Sequence, residues 1–224
     1  MTTATDRPAG PDARVFDAVL FDMDGTLVDS TASVVRCWAR LAEEHGIPVG
    51  TLRAAATHGR PARDIIADLF APPDRSAALA RVTHLEVTDV DGVVALPGAQ
   101  DALLASGSRG AIVTSCTADL AVARQQAAGI LVPAVVVTVD DVTRGKPDPE
   151  PFLRAAALLR VDPSRCLVVE DAPAGLAAGR AAGMTTLAVS TTHVATELDA
   201  DIVVDDLLDV RLSARDDGLL LTLL

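Results

Sequence analysis

The chain has 224 residues, half of them hydrophobic and 22% charged, enough to bury one sizeable core with room for a smaller inserted unit. Thirty-one acidic against nineteen basic side chains give a formal charge of −12, and a field of that sign excludes nucleic acid and anionic membrane as partners. An anionic small substrate stays open only if its charge is neutralised locally, most simply by a metal.

The opening stretch MTTATDRPAGPDAR lacks the apolar centre of a signal peptide and reads as a loose tail over residues 1–14. Next, VFDAVLFD (15–22) is the first apolar run, and DMDGTLVDS follows it directly. Residues 29–95 hold helical patterns (TASVVRCWARLAEEHG, ARDIIADLF, RSAALARVTHLEV) and no convincing strand, so a helical insertion follows the first strand. VVALPGA (93–99) returns the chain to the core. From there short apolar runs alternate with Ala- and Leu-rich amphipathic stretches. The runs are GAIVTS (110–115), AVVVTV (134–139), CLVVED (166–171), TTLAVS (185–190) and DIVVDDL (201–207). The stretches between them cover 98–106, 118–129, 148–160 and 172–183, and Gly129 and Gly183 sit where helix ends favour glycine. This alternation predicts βαβ units, hence an α/β fold with a doubly wound parallel sheet over 15–28 and 96–224. The apolar end GLLLTLL is too short to span a bilayer and reads as a docked final segment.

The three cysteines, Cys37, Cys116 and Cys166, form no CxxC pair and read as small buried residues of a reducing compartment, which makes the expected location cytoplasmic. Monomer is the default oligomeric expectation.

In an open parallel sheet, ligands bind beyond the carboxyl ends of the strands. The expected strands deliver Asp22 and Asp24, Thr114 and Ser115, Lys146, and Glu170 with Asp171 to that partly open rim. Four carboxylates gathered with two hydroxyls and one ammonium suit a hard divalent cation of the Mg²⁺ kind and a phosphate group. Asp22 can attack phosphorus, Asp24 can move the leaving-group proton, and Thr114, Ser115 and Lys146 can hold the transferring oxygens. Lys146 is the chain's single lysine beside eighteen arginines, which suggests that the position needs a compact ammonium. Cys116 has no evident base beside it and reads as a passenger. Trp38 and its apolar neighbours read as the insertion's own core.

DMDGTLVDS, VTS, RGKPDPEPF and VEDAPAG resemble, in order and spacing, the four motifs of the haloacid dehalogenase-like phosphohydrolase superfamily. The resemblance covers nearly the whole chain from about residue 15, and THGR, RVTHLE and ALPGA look most like its sugar- and polyol-phosphate phosphatases. It implies Asp22 as nucleophile, Asp24 as acid/base, a helical cap over 29–95, and Mg²⁺ held by Asp22, the Asp24 carbonyl, Glu170 and Asp171. It implies a small phosphate ester as substrate. In the cap, HGR (58–60) lies in a polar break. Arg60 either clamps substrate oxygens or is a solvated surface side chain, and His58 and His84 read more readily as structural or exposed.

Three rivals remain. A β-phosphoglucomutase-like phosphomutase shares the motifs, but those enzymes carry a histidine early in the first cap helix, where this chain has Val34. They also have a cap Gly-x-x-Arg, whereas Ala62 follows Gly59 at that spacing. A dehalogenase would have no use for Asp24. A non-catalytic binding protein of the same fold would have no need of the complete set.

Overall fold

Asp17 splits the first apolar run in two. The computed structural model describes residues 14–54 and 62–224. Within it β1 (Arg14–Phe16) and β2 (Ala18–Phe21) belong to different sheets, although the sequence pattern reads as one strand. The Asp17 amide donates to the Arg165 carbonyl at 2.8 Å and its carboxylate pairs with the Arg165 guanidinium at 2.6 Å, which pins the break.

After β2 the chain enters β3 (Val28–Asp29), makes among the described residues the helices α1 (Thr31–Glu44), α2 (Val49–Ala54), α3 (Ala62–Leu69) and α4 (Arg75–Thr88), and returns through β4 (Val94–Ala95). The helices bury Trp38, Leu41, Ile65, Ile66, Ala78 and Val82 in a cluster of their own. The antiparallel pair β3–β4 ties entry to exit, a correction to the expectation that 29–95 held no strand. Two-residue strands, with Val94 exposed, carry too little periodicity to be read from sequence.

The remaining elements alternate: α5 (Ala99–Ser106), β5 (Gly110–Val113), α6 (Ala118–Ala128), β6 (Val135–Val137), α7 (Glu150–Leu159), β7 (Cys166–Glu170), α8 (Pro173–Ala181), β8 (Thr185–Val189) and β9 (Ile202–Val204). Six strands form one wholly parallel sheet in the order β6-β5-β2-β7-β8-β9. Successive side chains go to opposite faces, and both faces are covered. Val19, Phe21, Ile112, Leu167 and Val169 pack with α5 and α6, whereas Ala18, Leu20, Ala111, Val113 and Val168 pack with α7 and α8. That is why the runs read as continuous hydrophobics rather than alternations. With few aromatics to fill space, alanines on the helices let them approach closely.

The final segment is a hairpin. β10 (Val210–Arg215) and β11 (Gly218–Leu223) meet across the two-residue loop Asp216–Asp217, and β1 completes a three-stranded antiparallel sheet in the order β1-β11-β10. Leu219 and Leu221 are buried against the core, so GLLLTLL is docked as expected, but as a strand. Among the described residues no helix is long and apolar enough to cross a membrane.

Candidate active site

Asp22 follows the last residue of β2, where its amide donates to the Val169 carbonyl at 2.9 Å and turns the chain toward the sheet's carboxyl edge. Lys146 reaches the same point from the loop between β6 and α7. That loop is shaped by Glu150, whose carboxylate accepts from the amides of Thr143 at 2.8 Å and Arg144 at 3.0 Å. The Lys146 ammonium donates to Asp22 Oδ1 at 2.5 Å, to Glu170 Oε1 at 2.7 Å and to the Val113 carbonyl at 2.8 Å. Its nitrogen also lies 5.1 Å from the centre of the Phe152 ring. Lys146 is only 4% exposed, so it is enclosed rather than set on a partly open rim, because the Ala-rich α7 brings Phe152 over it.

Glu170 ends β7. Its Oε2 accepts from the amides of Asp171 and Ala172, both at 3.0 Å, so both carboxylate oxygens have donors. Asp171 accepts from Thr26 Oγ1 at 3.5 Å and from the Thr192 hydroxyl, and the Thr191 hydroxyl donates to the Gly25 carbonyl. Gly25 has φ +87°, and a side chain there would collide with the Asp171 carboxylate; no other residue type fits the turn after Asp24.

Asp22, Glu170 and Asp171 present oxygens that lie within 4.8 Å of one another, all buried. Burial is the main force raising the Asp22 carboxyl well above the ordinary carboxylate range; Lys146 opposes it, and Glu170 and Asp171 add to it. Asp171 is raised chiefly by burial and by the charge of Glu170. Burial disfavours the Lys146 charge, but Asp22 and Glu170 outweigh it and hold the ammonium above its usual pKa. Three buried carboxylates against one ammonium are under-neutralised, and a divalent cation among them removes the deficit. The donor set therefore fits a hard metal ion.

Asp24 is oriented by different partners. Ser30, at the start of α1, makes no capping bond and instead donates its hydroxyl to Asp24 Oδ1 at 2.7 Å. Cys116 Sγ donates to Asp24 Oδ2 at 3.0 Å, and Arg124 Nη1 lies 2.8 Å from the same oxygen. Burial, then the charge of Asp24, pushes the Cys116 thiol well above its ordinary value, so it is a neutral donor and no nucleophile. Thr114 is buried just past β5 and accepts from the Cys116 amide at 3.1 Å, while Ser115 is half-buried beside it.

All of these open on one cavity of about 320 Å³ between the parallel sheet and the inserted helices. Asp22, Asp24, Thr114, Ser115, Lys146, Glu170 and Asp171 all line it, so the structure brings together every core site residue named from the sequence. From the insertion, Val34, Trp38, Arg63, Ile65, Thr83 and Glu86 face the same space. His58 and Arg60 lie outside the described residues, and His84 is exposed. Four contributors took no role from the sequence: Arg124 and Thr192, and Glu86 and Ser30, which close the stretches RVTHLE and DMDGTLVDS. For Arg124 a signal existed. Leu120, Ala121, Arg124 and Gln125 form the buried stripe of α6, so its charge sits at a core position.

A family model described as haloacid dehalogenase-like hydrolase matches residues 16–183. The chain belongs to the haloacid dehalogenase-like hydrolases. Hexitol phosphatase A of Escherichia coli (strain K12) is 40% identical over 208 residues, covering 89% of this chain and 95% of that protein. The validoxylamine A 7'-phosphate phosphatase of Streptomyces hygroscopicus subsp. limoneus is 36% identical, covering 88% and 97%. Among solved structures, a hydrolase from Pseudomonas syringae superimposes with a TM-score of 0.76 at 28% identity, covering 86% of this chain and 95% of that one.

Proposed function

We propose that this hydrolase is a Mg²⁺-dependent phosphatase of small phosphorylated metabolites, sugar or polyol phosphates, working through an aspartyl-phosphate intermediate. The observation that carries the reading is the pairing of two differently furnished carboxylates at one cavity: Asp22 among Lys146, Glu170 and Asp171, and Asp24 among hydroxyl, thiol and guanidinium donors. The phosphatase names of the two relatives support it.

Asp22 attacks phosphorus, a new phosphorus–Oδ bond forms and the bond to the ester oxygen breaks. Asp24, protonated, gives its proton to the departing alkoxide. Water then attacks the acyl phosphate, its proton passes to the Asp24 carboxylate, and the bond between phosphorus and Asp22 breaks to release inorganic phosphate. Lys146 and the Thr114 hydroxyl hold transferring oxygens, with Ser115 beside them. Mg²⁺ held by Asp22, the Asp24 carbonyl, Asp171 and Glu170 would supply neutralising charge for the phosphoryl group, and Glu170 also orients Lys146. The inserted helices, residues 29–95, act as a cap, and the apolar wall of Trp38, Val34 and Ile65 keeps bulk water from the acyl phosphate. Of the cap's polar break HGR, Arg60 and His58 are the candidate substrate contacts read from the sequence. Val34 on the cavity wall, where a phosphomutase carries a histidine, favours hydrolysis over phosphoryl return to a sugar.

The test is phosphate release from a panel of sugar and polyol phosphates with and without Mg²⁺. Asp22→Asn should abolish turnover and keep a native melt. Retained turnover by that folded variant, or no release from any member of the panel, would sink the reading.

A further inference from the structure

Arg124 lies at the junction of three elements and is 4% exposed. From α6 its Nη1 reaches Asp24 Oδ2 at 2.8 Å and Cys116 Sγ at 3.2 Å, and its Nη2 reaches Glu86 Oε1 at 3.2 Å. Glu86 is on α4, in the insertion, and is also buried. Arg124 Nε has no hydrogen-bond partner among the described residues. Burial disfavours the guanidinium charge, but the carboxylates of Asp24 and Glu86 more than compensate. Burial raises Glu86, with Arg124 opposing. A buried guanidinium with an unsatisfied Nε is costly, and an alkyl side chain would fill the α6 stripe more cheaply. What the arginine does that an alkyl group cannot is hold a carboxylate on each side at once. One of them is Asp24; the other belongs to the cap.

We propose that Arg124 is a positioning residue that fixes the Asp24 carboxyl for proton transfer to the leaving group, and that Glu86 makes this positioning depend on the cap being seated. The proposal rests on the acid/base role given to Asp24 above. Cys116, on the core side, shares Asp24 Oδ2 with Arg124, while Ser30, at the entry to α1, holds Oδ1. Arg124 is the group that shares its two terminal nitrogens between Asp24 and the cap, so displacement of α4 would remove Glu86 and let the guanidinium turn wholly onto Asp24. In the seated state it is divided between the two, and Asp24 is aimed into the cavity.

The consequence is specific to the leaving group. An alkoxide needs a proton as it departs, whereas p-nitrophenolate is a stable anion that does not. The experiment uses enzyme in excess over substrate, so that only the first, leaving-group-expelling step is read. The substrates are p-nitrophenyl phosphate and the alkyl phosphate turned over fastest in the panel. Arg124→Gln should slow the alkyl phosphate on the order of 10²-fold and p-nitrophenyl phosphate less than about threefold. Arg124→Lys, which can reach one carboxylate at a time, should recover part of the alkyl rate. Glu86→Gln should show the same split more weakly, and it covers the case in which Arg124→Gln does not fold. Equal losses on both substrates by the folded variants would mean a structural role and overturn the proposal. Asp24→Asn is the control. If it too slows both substrates equally, the acid/base reading falls; if it splits them while the Arg124 and Glu86 variants do not, this proposal falls alone.

Discussion

Gly175 lies directly beneath the carboxylate of Glu170: a Cβ added at Gly175 would overlap Glu170 Oε1. The glycine is in the first turn of α8, and the contact lets the helix start close enough for the Ala172 amide to reach Glu170 Oε2. Gly→Ala inside a helix ordinarily gains roughly 0.5–1 kcal/mol. Here the sign should reverse. Gly175→Ala should lower the melting temperature and reduce kcat/KM at least tenfold, because Glu170 is displaced from Lys146. A variant that is more stable and fully active would show that the close approach has no role.

Lys146→Arg keeps the charge and should still fail. Three acceptors surround the ammonium, at 2.5 to 2.8 Å, in an enclosed site under Phe152. A planar guanidinium is wider and cannot place one nitrogen on all three. Misplacement by about 1 Å can cost roughly 10²-fold, so a loss of that size in kcat/KM is expected, together with a lower melting temperature. Near-normal steady-state kinetics would make the lone lysine an accident of composition.

Thr192 donates its hydroxyl to Asp171 and so fixes the carboxylate assigned to the metal. Thr192→Val keeps the shape and removes the donor. Supporting partners of metal ligands are typically worth about 10–100-fold in metal affinity, and a weakening within that range is expected. Calorimetric titration with Mg²⁺ reads it directly. The chain's single tryptophan, Trp38, lines the same cavity and offers an independent fluorescence signal. An unchanged dissociation constant would remove Thr192 from the site.

Metal removal should have a pH signature. Burial, with mutual repulsion, holds Asp22 and Asp171 above the ordinary carboxylate range, so the metal-free folded state binds protons more tightly than the unfolded chain. Their contribution to stability is complete below the unfolded value and is lost as pH rises through the raised folded values. A divalent cation prefers the ionised carboxylates and should restore that loss. The rise in melting temperature on adding Mg²⁺ to chelator-treated protein should therefore be larger near pH 8 than near pH 5. Equal increments at both would show that the cluster does not bind the ion.

Much of this molecule was determined by local sequence. Apolar runs buried on both faces, the glycines at helix ends, and motif acids placed at the ends of β2 and β7 needed only backbone periodicity and connection geometry to converge on one edge. Tertiary structure decided the rest, for physical reasons. Asp17 broke a continuous apolar run because Arg165, distant in sequence, paired with it. The two-residue strands at 28–29 and 94–95 exist only because each supplies the other's backbone partners. The apolar end of the hairpin at 210–223 is legible as a docked segment, yet its partner β1 lies at the other end of the chain. Arg124 carries no motif, and Glu86, although it closes RVTHLE, takes no role from it, since their meaning is a contact across 38 positions between two units. Local propensity can place a carboxylate at the end of a strand. Only packing decides which buried charge will lie against it.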